Sequence, residues 1–292
     1  MNGVINVNKP KGFTSHDVVA KLRGILSIKK IGHTGTLDPD ATGVLPICVG
    51  RATKTADMLT ATEKEYVAKV ILGAETDTQD ASGTVLKTAP VNVHVAEIKE
   101  ATASFVGDIM QIPPMYSAIK QDGKKLYELA RKGQVVDRQP RPVTIFELEI
   151  LEINLEKCWF TMRVKCSKGT YIRTLCQDIG EKLGCFAHMG ELERTKSGQF
   201  SIENSYTLDQ IRESMDNGDT SFLTPIDQIF SDMPTLVLSQ RKAEKMCNGT
   251  QVSTSGMTEG VQYRVYDENG RFLTISTAVG GLLKIEKTFY QE

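Results

Sequence analysis

Residues 32–46 combine the residue types that present a carboxylate to a ligand. The segment contains three glycines, two prolines, three threonines and the acids Asp38 and Asp40. Glycine lets a backbone adopt positive φ or approach a ligand closely, and Pro39 restricts the residue before it. A carboxylate held in this way can act as a nucleophile or a base, whereas an isolated Asp-Pro pair typically forms a turn or caps a helix. The composition predicts an ordered loop, free of regular secondary structure, that presents Asp38.

Hydrophobic spacing predicts the elements that must position this loop. A strand over 3–7 and a helix capped by Ser15 precede it, and a strand over 66–72 and a helix over 95–105 follow it. Later elements of the same domain are a strand over 143–153, a strand over 159–166, a helix over 171–183 and two strands over 191–201. Strands and helices mix without strict alternation, so the expected fold is α+β, with a mostly antiparallel mixed sheet flanked by helices.

The chain is too long for one average domain and divides into two parts. A polar, proline-bounded linker over 224–234 suggests domains at 1–232 and 233–292. Within the first domain, residues 107–142 look like an insertion that holds a proline pair and a basic, glycine-interrupted helix over 120–131. The second domain is predicted to be small and β-barrel-like, because short strands alternate with glycine turns at 262–266, 272–277 and 282–287.

Composition excludes several protein classes. The sequence lacks the glycine-rich nucleotide motifs, the H-E-x-x-H zinc motif and the G-x-S-x-G nucleophile elbow. Its apolar runs are too short to cross a bilayer, and six scattered cysteines without a C-x-x-C pair indicate reduced thiols. We expect a cytoplasmic protein without a membrane span. The net charge is only -1, yet basic residues concentrate in 1–60, 112–142 and 157–174, which can form one face for phosphates.

Residues Gly32 to Pro46 closely resemble the catalytic motif of the TruB family of pseudouridine synthases, G-H-T-G-x-L-D-P-x-A-T-G-x-L-P. The match extends over fifteen consecutive residues. Further matches follow in the family's order along the whole chain, namely N-K-P-K-G-F-T-S from residue 8, K-E-Y from residue 64, I-P-P-M-Y-S-A from residue 112 and C-S-K-G-T-Y-I-R from residue 166. The resemblance implies the pseudouridine synthase fold, followed by a PUA-type RNA-binding domain.

The resemblance also implies a reaction, the isomerisation of uridine to pseudouridine at position 55 in the T-loop of tRNA. Asp38 would start cleavage of the C1'–N1 bond, either by attacking C1' or by taking the C2' proton to form a glycal. The base then rotates, C5 is joined to C1', and C5 loses its proton. The reaction involves no redox change and no external group, so no cofactor and no metal are expected. The expected partner is the T-arm of tRNA, bound by a monomer.

Other residues take their roles from the same resemblance. Arg173 would pair with Asp38 and keep it ionised, and Tyr66 would stack on the target base and is a candidate for removing the C5 proton. The remaining pocket residues would be Lys9 and Pro10 behind that tyrosine, Tyr171 lining the pocket, and His33 filling the space that the flipped base leaves. Taken singly, these side chains also fit a surface ion pair, a strand aromatic, turn residues, a helix start and a structural hydrogen-bonding histidine.

The basic insertion resembles the family's mobile thumb, which closes over the T-arm. Its predicted RNA contacts are Tyr116, Lys120, Lys124, Lys125, Arg131 and Lys132. A solvated helix face also fits this run of charge. Asp40 is expected to point away from the pocket, because a second acid there would raise the pKa of Asp38.

Two other functions remain open on the sequence. The chain could be a tRNA chaperone whose catalysis is incidental, or a sister synthase that acts on another RNA. Replacement of Asp38 by asparagine separates the first alternative from the enzyme, and a minimal T-arm substrate separates the second.

Overall fold

The computed structural model describes residues 1–121 and 123–290 of the chain. Its helices are α1 Ser15–Leu26, α2 Ala56–Thr60, α3 Val95–Ala103, α4 Leu126–Ala130, α5 Ile172–Lys182, α6 Leu208–Asp216, α7 Ile226–Ile229 and α8 Gln240–Cys247. Its strands are β1 Gly3–Lys9, β2 Ile31–His33, β3 Thr42–Val49, β4 Lys64–Leu72, β5 Ala74–Thr76, β6 Val85–Thr88, β7 Gly107–Gln111, β8 Lys120–Gln121, β9 Lys124–Lys125, β10 Arg141–Asn154, β11 Trp159–Cys166, β12 Ala187–Ser197, β13 Phe200–Ser201, β14 Leu223–Thr224, β15 Thr235–Leu238, β16 Gln262–Asp267, β17 Phe272–Val279 and β18 Leu282–Thr288. Within the described ranges, no helix is both long and apolar enough to span a membrane.

A large mixed sheet forms the body of the molecule. Its strand order is β14-β1-β3-β12-β4-β11-β10-β7, with β2 paired to β3 and β13 paired to β12. The pairings are antiparallel except that between β3 and β12, which is parallel. The predicted α+β class and mostly antiparallel sheet are therefore confirmed. This order puts β12 between β3, which ends the Asp38 loop, and β4, which carries Tyr66.

Helix α1 packs on this sheet and supports the Asp38 loop. Thr14, not the predicted Ser15, caps it in a capping box, in which the Thr14 hydroxyl accepts a hydrogen bond from Asp17 N at 3.1 Å. The Ser15 hydroxyl instead accepts a hydrogen bond from the Leu37 amide at 2.9 Å. The helix buries the apolar stripe Val18, Val19, Leu22 and Leu26. A helix start is thus tied to the residue before Asp38.

The C-terminal part differs from the predicted barrel. Strands β15 to β18 form an open sheet of that order, in which β15 runs parallel to β16, and no pairing between β15 and β18 closes it in the described residues. One apolar cluster fills this part, and another joins Ile275 and Phe289 to Val4 and Val44 of the large sheet. Burial on the neighbouring body takes the place of barrel closure.

The predicted linker at 224–234 is also wrong. Strand β14 pairs with β1, and α7 buries Ile226 and Ile229 in the cluster that joins the two parts. The polar residues of this stretch favour an exposed linker in the sequence, but its apolar residues face inward.

The insertion begins and ends within the large sheet, because β7 pairs with the start of β10. We call residues 112–140, which lie between these strands, the thumb segment. The predicted helix over 120–131 is wrong: β8 and β9 form a hairpin, and the helix begins only at Leu126. Gly123 has φ of +79° in that turn, which suits glycine and ends helical geometry. The segment has its own small core of Met115, Leu126 and Leu129.

Candidate active site

The Asp38 loop is a turn between two paired strands. Antiparallel pairing of β2 with β3 shows that both ends of the predicted irregular loop are in strands, so regular structure extends further than the sequence indicated. Residues 34–41 form the turn, in which Ala41 N donates to Asp38 O at 3.1 Å. Pro39 O accepts from Gly12 N at 2.9 Å and from the Lys9 ammonium at 3.0 Å. The backbone on both sides of Asp38 is therefore fixed.

Arg173 holds the Asp38 carboxylate with two nitrogens. Its Nε lies 3.0 Å from Asp38 Oδ2, and its Nη2 lies 3.2 Å from Oδ1. Such a two-point contact sets both the orientation and the charge of a carboxylate. The arginine side chain is buried, whereas the Asp38 side chain is 36% exposed. The carboxylate is thus held from behind and open to a ligand in front.

The same guanidinium joins two more segments to Asp38. Its Nη1 donates to Thr78 O at 3.1 Å, and its Nη2 donates to Tyr116 O, at the base of the thumb segment, at 2.9 Å. The Asp80 carboxylate lies 3.7 Å from Nη1. Asp80 was not predicted from the sequence, although an Asp flanked by Thr78 and Ser82, whose hydroxyls both donate to it, is a signal for an ordered turn.

Burial raises the pKa of Asp38, the Arg173 charge opposes this rise, and the charge of Asp80 adds to it. Asp40 is exposed, as expected, and makes the smallest of these contributions. The pKa of Asp38 therefore lies above its ordinary value. A carboxylate with a raised pKa is a better base than a free one, provided that the arginine keeps it ionised.

Tyr66 lies on β4, in register with Arg194 of β12 and Val164 of β11. Its side chain is buried, and this burial raises the pKa of the phenol above its ordinary value, although the charge of Arg194 acts in the opposite direction. The charge of Asp38 also acts on this phenol. Tyr66 and Asp38 therefore belong to one electrostatic site.

Arg194 was missed by the sequence analysis. It stands within the charged run E-L-E-R-T-K, which is typical of a solvated strand, yet it is only 2% exposed. Register shifts in the pairing of β12 with β4, on both sides of Arg194, disturb the simple alternation of inward and outward residues.

Lys9 lies behind the loop. It is fully buried, and its ammonium donates to Phe13 O at 2.6 Å and to Pro10 O at 3.0 Å, in addition to its bond to Pro39. Burial lowers the pKa of Lys9 to about 8. Pro10 is exposed and contributes its carbonyl. Lys9 therefore ties the K-P turn to the residue that follows Asp38.

Tyr171 and His33 are the remaining predicted pocket residues. Tyr171 precedes α5, and Gln111 at the end of β7 fixes its backbone by accepting from Tyr171 N at 3.0 Å and donating to its carbonyl at 3.2 Å. His33 ends β2, and its ring meets that of His16 edge to face at 5.1 Å between centroids. Burial and the charges of His16 and Arg194 lower the pKa of His33. His33 is therefore favoured in its neutral form.

The basic side chains of the thumb segment do not touch Asp38. Lys120, Lys124, Arg131 and Lys132 are exposed. The ammonium of Lys125 lies 5.4 Å, and the guanidinium of Arg131 5.2 Å, from the centre of the Tyr127 ring. Among the described residues of the segment, Tyr116 donates no side-chain group but contacts Arg173 through its carbonyl, which accepts from Nη2. The segment thus carries cations grouped around an aromatic ring and is joined to the site at its base.

Family models cover most of the chain. The TruB family pseudouridylate synthase N-terminal domain matches residues 23–172, the tRNA pseudouridylate synthase B C-terminal domain matches 173–237, and the pseudouridine synthase II TruB C-terminal model matches 234–284. A tRNA pseudouridine synthase B of Bacillus anthracis is 49% identical over 94% of this chain and 92% of its own length. Another, from Clostridium novyi (strain NT), is 45% identical over 98% of this chain and 99% of its own length. The chain belongs to the TruB family of pseudouridine synthases.

Solved structures show the same fold. A chain in a Cbf5-Nop10-Gar1 complex superposes with a TM-score of 0.74 at 28% identity, covering 99% of this chain and 85% of that one. A chain in an H/ACA RNP bound to a substrate RNA containing 2'-deoxyuridine gives a TM-score of 0.73 at 26% identity, with the same coverage. The predicted pseudouridine synthase fold is confirmed.

Proposed function

We propose that this protein converts uridine to pseudouridine at position 55, in the T-loop of tRNA, and that Asp38 starts the reaction. The observation that carries the proposal is the Asp38–Arg173 pair, an accessible carboxylate held by two nitrogens of a buried guanidinium. The names of the relatives from Bacillus anthracis and Clostridium novyi support tRNA as the substrate.

The first step needs a target uridine outside its RNA stack. Extruding a stacked base costs a few kcal/mol, which contacts elsewhere on the RNA must offset. Once the nucleoside lies beside the loop, Asp38 breaks the C1'–N1 bond, either as a nucleophile at C1' or as a base at C2'. Arg173 keeps the carboxylate ionised and aimed in either case.

The second step joins C5 of the rotated base to C1'. The C5 proton then leaves, and Tyr66 is the candidate acceptor and the surface on which the base stacks. Lys9 and Pro10 support this side of the pocket, Tyr171 lines it, and His33 occupies the space from which the base was drawn. Product and substrate have the same composition, so the reaction calls for no cofactor.

RNA binding is assigned to two regions. The thumb segment contacts the T-arm phosphates through Lys120, Lys124, Lys125, Arg131 and Lys132, with Tyr116 as a stacking surface. Residues 1–232 form the catalytic domain, with its insertion at 107–142, and residues 233–292 form a PUA-type RNA-binding domain. The protein acts as a cytoplasmic monomer, which light scattering of the free protein and of its tRNA complex tests.

The deciding experiment is tritium release from C5-labelled uridine in unmodified tRNA. The protein should release tritium, and Asp38→Asn should lower the rate by about 10⁴-fold. Binding of tRNA to this variant should change by less than about threefold, because only one carboxylate is neutralised. Asp40→Asn, at the exposed acid two residues away, is the matched control and should remain active.

Absence of tritium release from the unmodified protein would remove the proposed activity. Conversion of an isolated T-arm stem-loop distinguishes this substrate from another RNA. A tRNA refolding assay with Asp38→Asn tests the additional role of tRNA-folding chaperone, which that variant should retain.

A further inference from the structure

Arg194 is a buried cation at the meeting point of three strands. On β12 it stands opposite Gly43 of β3 and Tyr66 of β4. It is one of the largest fully buried side chains in the protein. Across residues 1–121 and 123–290, no carboxylate lies within ion-pair distance of it. A buried charge of this kind is costly unless a function or a network retains it.

Its hydrogen bonds reach both ends of the Asp38 loop. Nε donates to Val44 O at 2.7 Å, and Nη2 lies 3.4 Å from Gly35 O. Arg194 also stands directly opposite Tyr66 in the pairing of β12 with β4, and both side chains are buried. One planar group therefore sets the distance between the loop that carries Asp38 and the tyrosine on the neighbouring strand.

The surroundings of Arg194 add positive charge. Lys9 and Lys64 are buried ammonium groups, and the charge of Arg194 contributes to the lowering of their pKa values and of that of His33. Neutral donors would satisfy the Val44 and Gly35 carbonyls equally well, so these two bonds alone do not account for a full charge here. The charge of Arg194 also acts on the buried Tyr66 phenol, and a cation at that position suits a negative charge that forms on the phenolic oxygen during the reaction.

We propose that Arg194 is a positioning residue for Tyr66, which fixes the phenolic oxygen relative to Asp38 and favours its anionic form during removal of the C5 proton. This inference rests on the proposed function and assigns one more side chain to the same site. Arg194 acts through Tyr66, whereas Arg173 acts through Asp38. Each of the two reactive side chains then has its own arginine.

The proton balance of the step is simple. Tyr66 rests as a phenol and first gives its phenolic proton to water. After C5 has bonded to C1', the C5–H bond breaks and its proton passes to the resulting phenolate. The electron pair left at C5 forms the C5–C6 double bond, and the pair of the C6–N1 double bond moves to N1, which takes a proton from water. Tyr66 is then a phenol again, and nothing is oxidised or reduced.

Arg194→Met and Arg194→Lys test the assignment, with Arg212→Met as the control at an exposed arginine on α6. Single-turnover pseudouridine formation is measured on tRNA containing either ordinary or 5-deuterated uridine, and tRNA affinity is measured by filter binding. Fluorine NMR of 3-fluorotyrosine-labelled protein reports on the Tyr66 phenol, whose resonance is identified by its loss in Tyr66→Phe.

We expect Arg194→Met to lower the single-turnover rate by about 100-fold, with tRNA affinity within about threefold of the original. The 5-deuterium isotope effect should rise, and the Tyr66 resonance should shift. Arg194→Lys keeps the positive charge but not the planar guanidinium. Its single-turnover rate should fall about tenfold, and its isotope effect and Tyr66 resonance should change in the same direction as in the methionine variant. It serves as the test if the methionine variant does not fold.

An isotope effect or a Tyr66 resonance unchanged from the original protein would overturn the assignment and leave Arg194 as a support of the loop. Full activity of the methionine variant would also overturn it. The NMR measurement needs no turnover, so it separates failure of this inference from failure of the proposed function, which would appear as no conversion by the unmodified protein.

Discussion

The Asp38 loop and the thumb segment are both loops between strands, but they are held in opposite ways. Buried cations of Lys9 and Arg194 bind the backbone of the first, and Arg173 holds its carboxylate. The second carries its cations on the outside and packs mainly on a small core of its own. Positive charge thus serves as internal scaffold in one loop and as exposed contact surface in the other.

Under the proposed function, this difference separates catalysis from recognition. A loop whose backbone carbonyls already accept hydrogen bonds from buried cations needs no rearrangement to present a carboxylate, and such preorganisation is a major source of rate enhancement. Exposed lysines and arginines gain their interactions only when phosphates arrive. Changes in the two loops should therefore alter different measured quantities, the rate of the bound complex for the first and the affinity for the second.

Among the tests that compare the two loops, the largest effect is expected from Arg173→Lys. A lysine keeps the charge but cannot bind both Asp38 oxygens and the carbonyls of Thr78 and Tyr116 at once. The single-turnover rate on saturating tRNA should fall by about 100-fold, while tRNA affinity stays within about threefold.

Arg163→Lys is the matched control, because this exposed arginine contacts only Glu149 through its charge in the described residues. It should leave both quantities unchanged. A loss of affinity equal to the loss of rate in Arg173→Lys would contradict the separation of the two loops.

A smaller effect, on affinity alone, is expected from the double variant Lys125→Gln, Arg131→Gln. Both side chains lie over the Tyr127 ring and are assigned to phosphate contact. The tRNA Kd should rise about tenfold in low salt, and the slope of log affinity against log salt should become shallower by about 2. The rate at saturating tRNA should not change.

Lys99→Gln provides the comparison for this variant, since Lys99 is exposed on α3, outside the three basic stretches. It should leave the salt slope as it was. A salt dependence that is flat in the unmodified protein would refute the assignment of the basic residues to phosphates.

The smallest effect is a shift in the pH profile. The proposed mechanism uses the ionised form of Asp38, so the rate should fall as pH drops through its raised pKa. The charge of Asp80 contributes to that rise. Asp80→Asn should therefore move the acid limb of the single-turnover profile to lower pH, and a shift to higher pH would contradict the electrostatic account.

Local sequence predicted much of the fold and the central pair of the site. Apolar periodicity gave α1 and α5 and most of the long strands, and the motif match gave Asp38, Tyr66 and Arg173. These features depend on neighbours in the chain or on a motif with a fixed order. The distance between Asp38 and Arg173 confirms that they meet, while their roles remain predictions.

What the sequence missed depends on contacts between distant segments. Asp80 matters because α5 brings Arg173 to its turn, and Arg194 points inward because of irregular pairing between β12 and β4. The thumb hairpin was read as helix because its lysines and leucines favour helix, whereas the turn at Gly123 prevents it. The predicted barrel is wrong because the small sheet packs against the large sheet and does not close on itself.

Gly43 belongs to the motif that contains Asp38, but backbone packing is what requires a glycine at this position. It has φ of +99°, and a side chain there would collide with the carbonyl oxygen of Arg194 on the parallel strand. A related protein that had lost catalytic activity but kept this fold would still require the glycine. In distantly related proteins, replacement of the aspartate or its arginine should therefore be taken as a sign of lost activity. Retention of the glycine should not be taken as a sign that activity is kept.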